Sequence, residues 1–545
     1  IPPATGLGRV CIVGGGVSGI AAARVLLAEG AECTLFEKAP VLGGVWASNY
    51  TGYGIQVPAA LYEFPDEPLP SGFDFADGPR INRYVGDYAE KHGVLKAARL
   101  GCSVERIEPL GASASDSRQW HVEVLNAEGC REAHVFDFVV IASGIYSQVD
   151  KLVPRFEGDE AFLGLRVHSV DLTDISVCSG KQVVTVGYGK SAFDIAMSAA
   201  DVASKSTLLF RQAHWPVPRK ILGLIPFEYA TFSRLGSALL LPSYPVMGPL
   251  ERILHSIPLL LKLVWWLVAQ IFSFQFGLRK TPGLLPENSF IEDLWCGHGI
   301  VPHPSFFRKV HSGEIATKHG EIRRVKQRSV ELMTGEELPA DILVFGTGFR
   351  QNWSFLPEAL QAKVEEDGLW LYRQMVHPEF PSLCLLNSNT TSFTNITTAA
   401  LQARWFHEVM SQGLLPSAAK MDSDIQQQKQ WKRAAMPDAG SSRARILQTH
   451  QLHYYDQLLK DMGASVRRKR GCLKALKEFA DPYRPRDYDT IVSGEFKQNL
   501  VEYVQPGSKQ YSFCWELGIV VAELVLIAIL ATFSSQFLIQ DGAAM

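Results

Sequence analysis

Two sets of small residues in this chain could cradle a diphosphate. Gly14, Gly16 and Gly19 form G-x-G-x-x-G. The first glycine of such a set makes a tight turn and the second lets backbone approach a pyrophosphate. The third lets a helix pack close, with its N-terminus toward the phosphates. Glu37 follows about 20 residues later, where a carboxylate accepts hydrogen bonds from a ribose diol. Gly187, Gly189 and Ala192 repeat the pattern as G-x-G-x-x-A, with Ser191 at the helix opening. The next apolar strand runs into Arg211 instead of an acid, and a guanidinium there favours a 2′-phosphate through a charge-assisted fork. The first site is therefore expected to take a nucleotide with a free ribose, and the second NADP(H). No Ser/His/Asp or paired-carboxylate constellation accompanies them. The nine cysteines contain no C-x-x-C pair, so neither a zinc site nor a redox disulfide is indicated.

Each fingerprint needs a strand before it and a helix after it. Val10, Ile12 and Val13 read as a buried parallel strand, Ala21–Leu27 as a small-residue helix and Thr34–Phe36 as the second strand. Gln182–Val186 and Thr207–Phe210 repeat the arrangement, while Trp120–Leu125 and Val135–Ala142 read as strands of a meander. After Gly43, the run Gly44, Val45, Trp46 gives a backbone that can lie against a flat ligand, with an aromatic beside it. At 545 residues the chain is too long for one core. The fold class expected is α/β with two Rossmann-like dinucleotide-binding domains. A net charge of −3 gives no argument for nucleic-acid binding. Two nucleotide sites without a redox cysteine pair point to a flavoprotein that takes hydride from NADPH.

The chain resembles the flavin-containing monooxygenases, a group of class B flavin-dependent monooxygenases. The resemblance covers residues 6–490 and rests on separated motifs: the two fingerprints, Gly43–Trp46, Phe162-x-Gly164-x-x-x-His168, and Phe345–Phe349 with Gly348. Leu172 stands where the family usually carries an aromatic residue. The plant branch is closest, through Ile55–Pro58, Tyr62–Phe64, Leu371–Gln374 and Gln402–Trp405. The resemblance implies FAD and NADPH as cofactors, a C4a-hydroperoxyflavin, and O2-dependent oxygenation of a small molecule at amine nitrogen or sulfur. It makes Gln56 a candidate beside the flavin, where animal enzymes carry Asn. Asn389 and Asn395 lie where the chain should return to the flavin ring, with a helix opening near Thr398. His168 reads as a linker histidine at a domain junction, and His168, His214, His377 and His453 are not assigned as general bases. The expected domains are 1–170 and 341–410 for FAD, 171–340 for NADPH with an apolar insertion at 221–285, and a helical region at 411–510. A Baeyer–Villiger or decarboxylating oxygenase shares these fingerprints. A membrane-anchored flavoprotein subunit without turnover is a rival of another class.

Two apolar stretches bear on membrane lipid. Ile257–Leu278 is long enough to span, but one crossing there would put Gly348 and Gly14 on opposite sides. A monotopic helix with Trp265 and Trp266 at the interface, or a buried helix, remains. Cys514–Leu538 is interrupted only by Glu516 and Glu523, and no Lys or Arg follows it. Arg484, Arg486, Lys497 and Lys509 precede it, so residues 514–538 are expected to be a C-terminal transmembrane anchor. The catalytic body would then be cytosolic, on the endoplasmic reticulum. The basic run Arg467–Arg470 reads as a lipid contact or a solvated helix end. The chain opens at Ile1 instead of Met, and a preceding segment is expected.

Overall fold

The computed structural model describes residues 7–70, 72, 74–111, 119–146, 151–240, 255–295, 297–388, 392–435, 451–471, 473–499, 502–504, 514, 517–518, 520–522, 524–525, 527–529 and 531–532. Two sheets organise them. The first has six strands in the order Val376–His377, Phe380–Leu385, Phe138–Ile141, Arg9–Val13, Glu32–Glu37, Ala98–Leu100. All neighbours are parallel except the Val376–His377 edge. The second has five parallel strands in the order Ile315–His319, Lys205–Phe210, Gln182–Val186, Ile342–Phe345, Leu165–His168. Val10, Cys11 and Ile12, like Val183 and Val184, are buried. Strands covered on both faces by other elements read as such continuous apolar runs.

The chain leaves the first sheet after Ile141, builds the second, and returns at Val376. The second sheet begins at Leu165 and ends at Phe345, six residues before and five after the boundaries expected from the sequence. The reason is register: Leu165–His168 pairs residue by residue with Ile342–Phe345. A third, antiparallel sheet of Ser103–Leu110, Gln119–Leu125 and Arg131–Phe136 covers one side of the first. It is tied down by Trp120, whose Nε1 donates to Ser382 Oγ at 2.9 Å.

Helix Val17–Ala28, which follows the first fingerprint, packs against helix Asn395–Ser411. Between them Arg404 is fully buried and pairs with Glu29 at 2.5 Å and Glu408 at 3.0 Å. Residues beyond 411 are helical where described, over Ala418–Ala435, Gln451–Met462, Lys474–Ala480 and Asp489–Ser493. The basic run is not a helix end, because the helix before it stops at Met462, and three of its residues make ion pairs. Arg468 pairs with Glu502 at 2.9 Å, Lys469 with Asp487 at 2.7 Å, and Arg470 with Glu502 at 3.1 Å.

Helix Pro258–Phe276 has one face in the second core, where Trp265 stacks on Phe290 at 5.8 Å. Its other face is open: Leu259 is 79% exposed, and Leu263, Trp266 and Phe274 are exposed too. Trp265 is thus a core residue and not an interfacial one, because it faces Phe290 while Trp266 points outward. This is the one helix among the described residues long and apolar enough to cross a membrane. The described residues between 514 and 532 are helical, with Leu517, Val521, Leu524, Val525 and Ile529 exposed. Glu516, Glu523 and Lys509 lie outside the described residues.

Candidate functional site

The first fingerprint turn lies at the end of strand Arg9–Val13, in the middle of its sheet. Open α/β sheets bind ligands in this crevice. Gly14 has φ +106°, and a Cβ there would meet the Ala142 carbonyl oxygen at 2.6 Å. At Gly19 a Cβ would lie 1.8 Å from the Gly14 carbonyl oxygen, so only glycine lets the helix start this close. At Gly16 a Cβ would meet only Gly44 Cα, at 3.7 Å, so that face of the turn is open. Gly43 N–H donates to the Gly15 carbonyl at 2.8 Å, which lays the Gly43–Gly44 turn across the fingerprint. Glu37 is buried, with Oε2 accepting from Gly15 N–H at 2.6 Å and Oε1 from Ala39 N–H at 2.7 Å.

These residues border a cavity of about 500 Å³. Gly14, Gly16, Glu37, Gly44, Val45 and Trp46 line it. Trp46 Nε1 donates to the Tyr62 hydroxyl at 3.1 Å, and the Asn395 side chain bonds that hydroxyl as well. Burial pushes the Tyr62 phenol well above its ordinary range, so it stays protonated. Asn387, at φ +49°, also lines the cavity, and its Oδ1 is buried with no hydrogen-bond partner. An open glycine face at a helix N-terminus and an orphaned acceptor fit a flavin dinucleotide, whose diphosphate needs N–H donors and whose ring carries an N–H.

The sequence reading is not gathered into this cavity in full. Gly19 supports the turn from behind. Thr398 does not open a helix: the helix opens at Asn395, and Thr398 lies one turn inside it, fully buried. Its Oγ1 bonds the Thr394 carbonyl at 3.0 Å, the Tyr455 hydroxyl at 2.6 Å and Ser392 Oγ at 2.9 Å, so Thr398 holds the cavity-lining Ser392 from behind without lining the cavity itself. Gln56 sits at the seam with the second sheet, where its Oε1 accepts from Val301 N–H at 3.3 Å. Asn389 lies outside the described residues. None of His168, His214, His377 and His453 lines the cavity. His168 bonds the Gly348 carbonyl through Nε2 at 3.1 Å and accepts from Val170 N–H through Nδ1. Tyr62, Asn387 and Asn395 line the cavity without belonging to a fingerprint. The run of short polar residues around Asn395, between a strand and a helix, was the signal available for Asn387 and Asn395.

The second turn repeats the first. Gly187 has φ +133°, and a Cβ would meet the Gly346 carbonyl oxygen at 2.5 Å. Gly189 caps helix Lys190–Ala200, and a Cβ there would meet nothing within 4 Å. Gly348, at φ +82°, follows the adjacent strand, and Ser191 is in the first helical turn. Register corrects the place of Arg211. Val13 pairs with Phe36 and Val186 with Leu209, so Phe210 corresponds to Glu37 and Arg211 to Lys38. Arg211 is exposed just past the strand end, and no ion pair to it is found among the described residues. At the seam, Asp194 accepts from the Tyr50 hydroxyl at 2.9 Å and pairs with Lys190. Burial raises the Asp194 carboxyl above its ordinary value despite both contacts. Arg219 lies over the Phe75 ring at 3.7 Å, and burial lowers its pKa.

The chain is similar to dimethylaniline monooxygenase [N-oxide-forming] 2 of Mus musculus, 28% identical, over 84% of this chain and 83% of that one. In fold it is similar to ε-caprolactone-bound cyclohexanone monooxygenase, with a TM-score of 0.64 at 16% identity, over 83% of this chain and 98% of that one. It is also similar to S-allyl-L-cysteine S-oxygenase from Allium sativum, with a TM-score of 0.54 at 17% identity, over 95% and 98% of the two chains. The model of the flavin-binding monooxygenase-like family matches residues 7–246 and 303–479. With that match spanning both nucleotide turns and most of the chain, the protein belongs to the flavin-binding monooxygenase-like family, and is an FAD- and NADPH-dependent monooxygenase.

Proposed function

We propose that this monooxygenase oxygenates small, soft nucleophiles at nitrogen or sulfur while docked on a membrane. The observation that carries the reading is the pair of turns in common register, one backed by a buried carboxylate and one followed by a free guanidinium. When bound, FAD supplies the redox chemistry, taking hydride from NADPH and passing electrons to O2. The chain's residues bind, orient and keep water out. Gly14, Gly16 and Gly44 leave room for a diphosphate that the helix N-terminus attracts, and Glu37 offers its free lone pairs to a ribose. Val45 and Trp46, held through Tyr62 and Asn395, form the wall beside the ring. Gly187, Gly189 and Ser191 take the second diphosphate, and Arg211 the 2′-phosphate. Gln56 reaches across the seam to Val301 and holds the two halves at a fixed distance.

The name of the mouse relative supports nitrogen as the site of oxygenation, and that of the Allium neighbour supports sulfur. The likeness to cyclohexanone monooxygenase favours a second reading, Baeyer–Villiger oxygenation of a ketone. The test is a panel of tertiary amines, thioethers and cyclic ketones incubated with purified protein, NADPH and air. N-oxide or sulfoxide masses are the expected products. Lactone from the ketones alone would favour the second reading, and a colourless protein that leaves NADPH intact would favour the subunit without turnover.

Membrane docking draws support from the exposed Leu259, Leu263, Trp266 and Phe274 face and from the neighbouring hairpin tip, where Leu224 is 77% exposed. Gln275 ties that hairpin to the helix by bonds to Leu222 N–H at 2.9 Å and the Lys220 carbonyl at 2.7 Å. A helix with one face in the core and the other apolar and open suits an interfacial position. The stretch from Cys514 to Leu538 would add a single-pass anchor, with the body on the cytosolic face of the endoplasmic reticulum. Truncation before Cys514 should release part of the protein in flotation assays, and further substitution of Leu259, Leu263 and Trp266 by Ser should release the rest. Complete solubility after truncation alone would remove the internal helix from this proposal.

A further inference from the structure

Outside both nucleotide sites, His214, Asp293 and His298 bring three ligand-type atoms within 4.8 Å of one another. They come from three local devices. His214 lies just past Arg211, on the segment that leaves strand Lys205–Phe210. Asp293 is in the short helix Phe290–Trp295 and is fully buried. His298 is brought back over that helix by its own N–H, which donates to the Asp293 carbonyl at 3.1 Å.

Asp293 Oδ1 lies 2.8 Å from His214 Nδ1 and 3.4 Å from His298 Nδ1. Oδ2 accepts from Trp215 N–H at 2.6 Å, which fixes the plane of the carboxylate. His298 Nδ1 is buried and makes no aligned hydrogen bond. Beside the cluster, the Tyr188 ring lies 5.9 Å from that of His214, and its buried hydroxyl has no hydrogen-bond partner among the described residues.

We propose that His214, Asp293 and His298 bind a divalent transition ion of the zinc class. Two imidazoles and one carboxylate form a donor set such ions accept, and tetrahedral zinc with bonds of about 2.1 Å separates neighbouring ligands by about 3.4 Å. The His298–Asp293 spacing already has that value, and the His214–Asp293 pair needs to open by roughly 0.6 Å to match it. The Trp215 amide supplies the outer hydrogen bond that orients a ligating carboxylate. His298, whose side chain is 39% exposed, is the outermost of the three, and its outward movement would admit the ion. The ion would clamp the segment after Arg211 to the inserted helix Phe290–Trp295. Through His214 it would stiffen Tyr188, the middle residue of the second fingerprint turn.

The test uses the full-length flavin-loaded protein, purified without a histidine tag and stripped with a chelator. Zn2+ is titrated against a chromophoric competitor, and Co2+ is followed by its visible spectrum. The expected result is one Zn2+ per chain, a Co2+ spectrum free of thiolate charge transfer, and a thermal midpoint raised by Zn2+. His298→Ala, at the most exposed of the three, should weaken binding by more than about 100-fold, beyond what loss of an outer-shell contact does. It should also abolish the thermal shift while retaining flavin. His121→Ala, on the meander sheet, should bind as the parent does. The proposal is overturned if the parent chain binds no Zn2+ at micromolar concentration, if His298→Ala binds equally well, or if thiolate bands dominate the Co2+ spectrum.

Discussion

In the first nucleotide turn the last fingerprint position on the helix is Gly19, and the residue after the neighbouring strand is Ala142. In the second they are Ala192 on the helix and Gly346 on the strand. The positions correspond by register: Val13 pairs with Ile141 and Val186 with Phe345, and Ala142 and Gly346 follow. Each pair of positions carries one methyl, on opposite partners. The cause lies in the distances. A Cβ at Gly19 would strike the Gly14 carbonyl at 1.8 Å, whereas a Cβ at Gly346 would meet Ala192 Cβ at 2.8 Å. The first helix therefore approaches its turn by backbone, the second through a side chain. The residues inside the turns differ in the same sense. Gly15 donates its N–H to buried Glu37, while Tyr188 packs its ring at 4.6 Å on Phe210, which stands in the register position of Glu37. One turn is backed by a carboxylate, and the other by aromatic rings.

The comparison is sharpest at Gly19. Gly19→Ala should leave the first half unable to hold flavin, because the clash is with backbone, and Ala142→Gly should not rescue it. Flavin-to-protein absorbance ratios check both, and a yellow Gly19→Ala protein would show that the two helices approach alike. Arg211→Ala should raise the KM for NADPH and leave that for NADH nearly unchanged. Loss of a hydrogen bond to a charged group costs about 1.5–3 kcal/mol, roughly 10- to 100-fold in affinity. An equal loss for both coenzymes would mean that Arg211 does not serve the 2′-phosphate. Gly346→Ala should cost about 1 kcal/mol, the lower end of overpacking penalties, read as a lower thermal midpoint and a higher KM for NADPH. Adding Ala192→Gly should recover part of it, and absence of any coupling in that cycle would break the idea of a shared methyl.

The smallest effect is in pH. Each sheet has a buried histidine on its edge strand, His377 in the first and His168 in the second, and burial lowers both below their ordinary value. A histidine whose folded pKa is depressed contributes fully above the unfolded value of about 6.5 and loses that contribution as pH falls below it. Thermal midpoints should therefore drop between pH 7.5 and 5.5, by less in His168→Gln and His377→Gln than in the parent protein. An unchanged slope in both variants would assign the acid sensitivity to other groups.

Both turns were legible in the sequence because glycine is required wherever a Cβ would meet backbone, and that requirement leaves a fixed spacing. Glu37 was legible for the same local reason. Arg211 was found one position off, since the register that aligns it with Lys38 belongs to strand pairing and not to spacing. Tyr62 and Asn387 line the cavity, yet they come from segments more than 300 residues apart in sequence, and no local pattern records such a meeting. The His214–Asp293–His298 cluster escaped for the same reason: a 79-residue separation between His214 and Asp293 matches no ligand spacing.

The insertion of one sheet within the other also has a kinetic side. Phe138–Ile141 has its second neighbour only when Phe380–Leu385 arrives, 262 residues after Trp120 in the case of its bond to Ser382. During synthesis the first sheet keeps an open edge of apolar strand while the whole second sheet is made. An unpaired edge of this kind is a template for aggregation, and long-range parallel pairing is slow. The second sheet, whose strands are contained within Leu165–Phe345, can close first. The flavin half would then mature last, around a neighbour that is already folded.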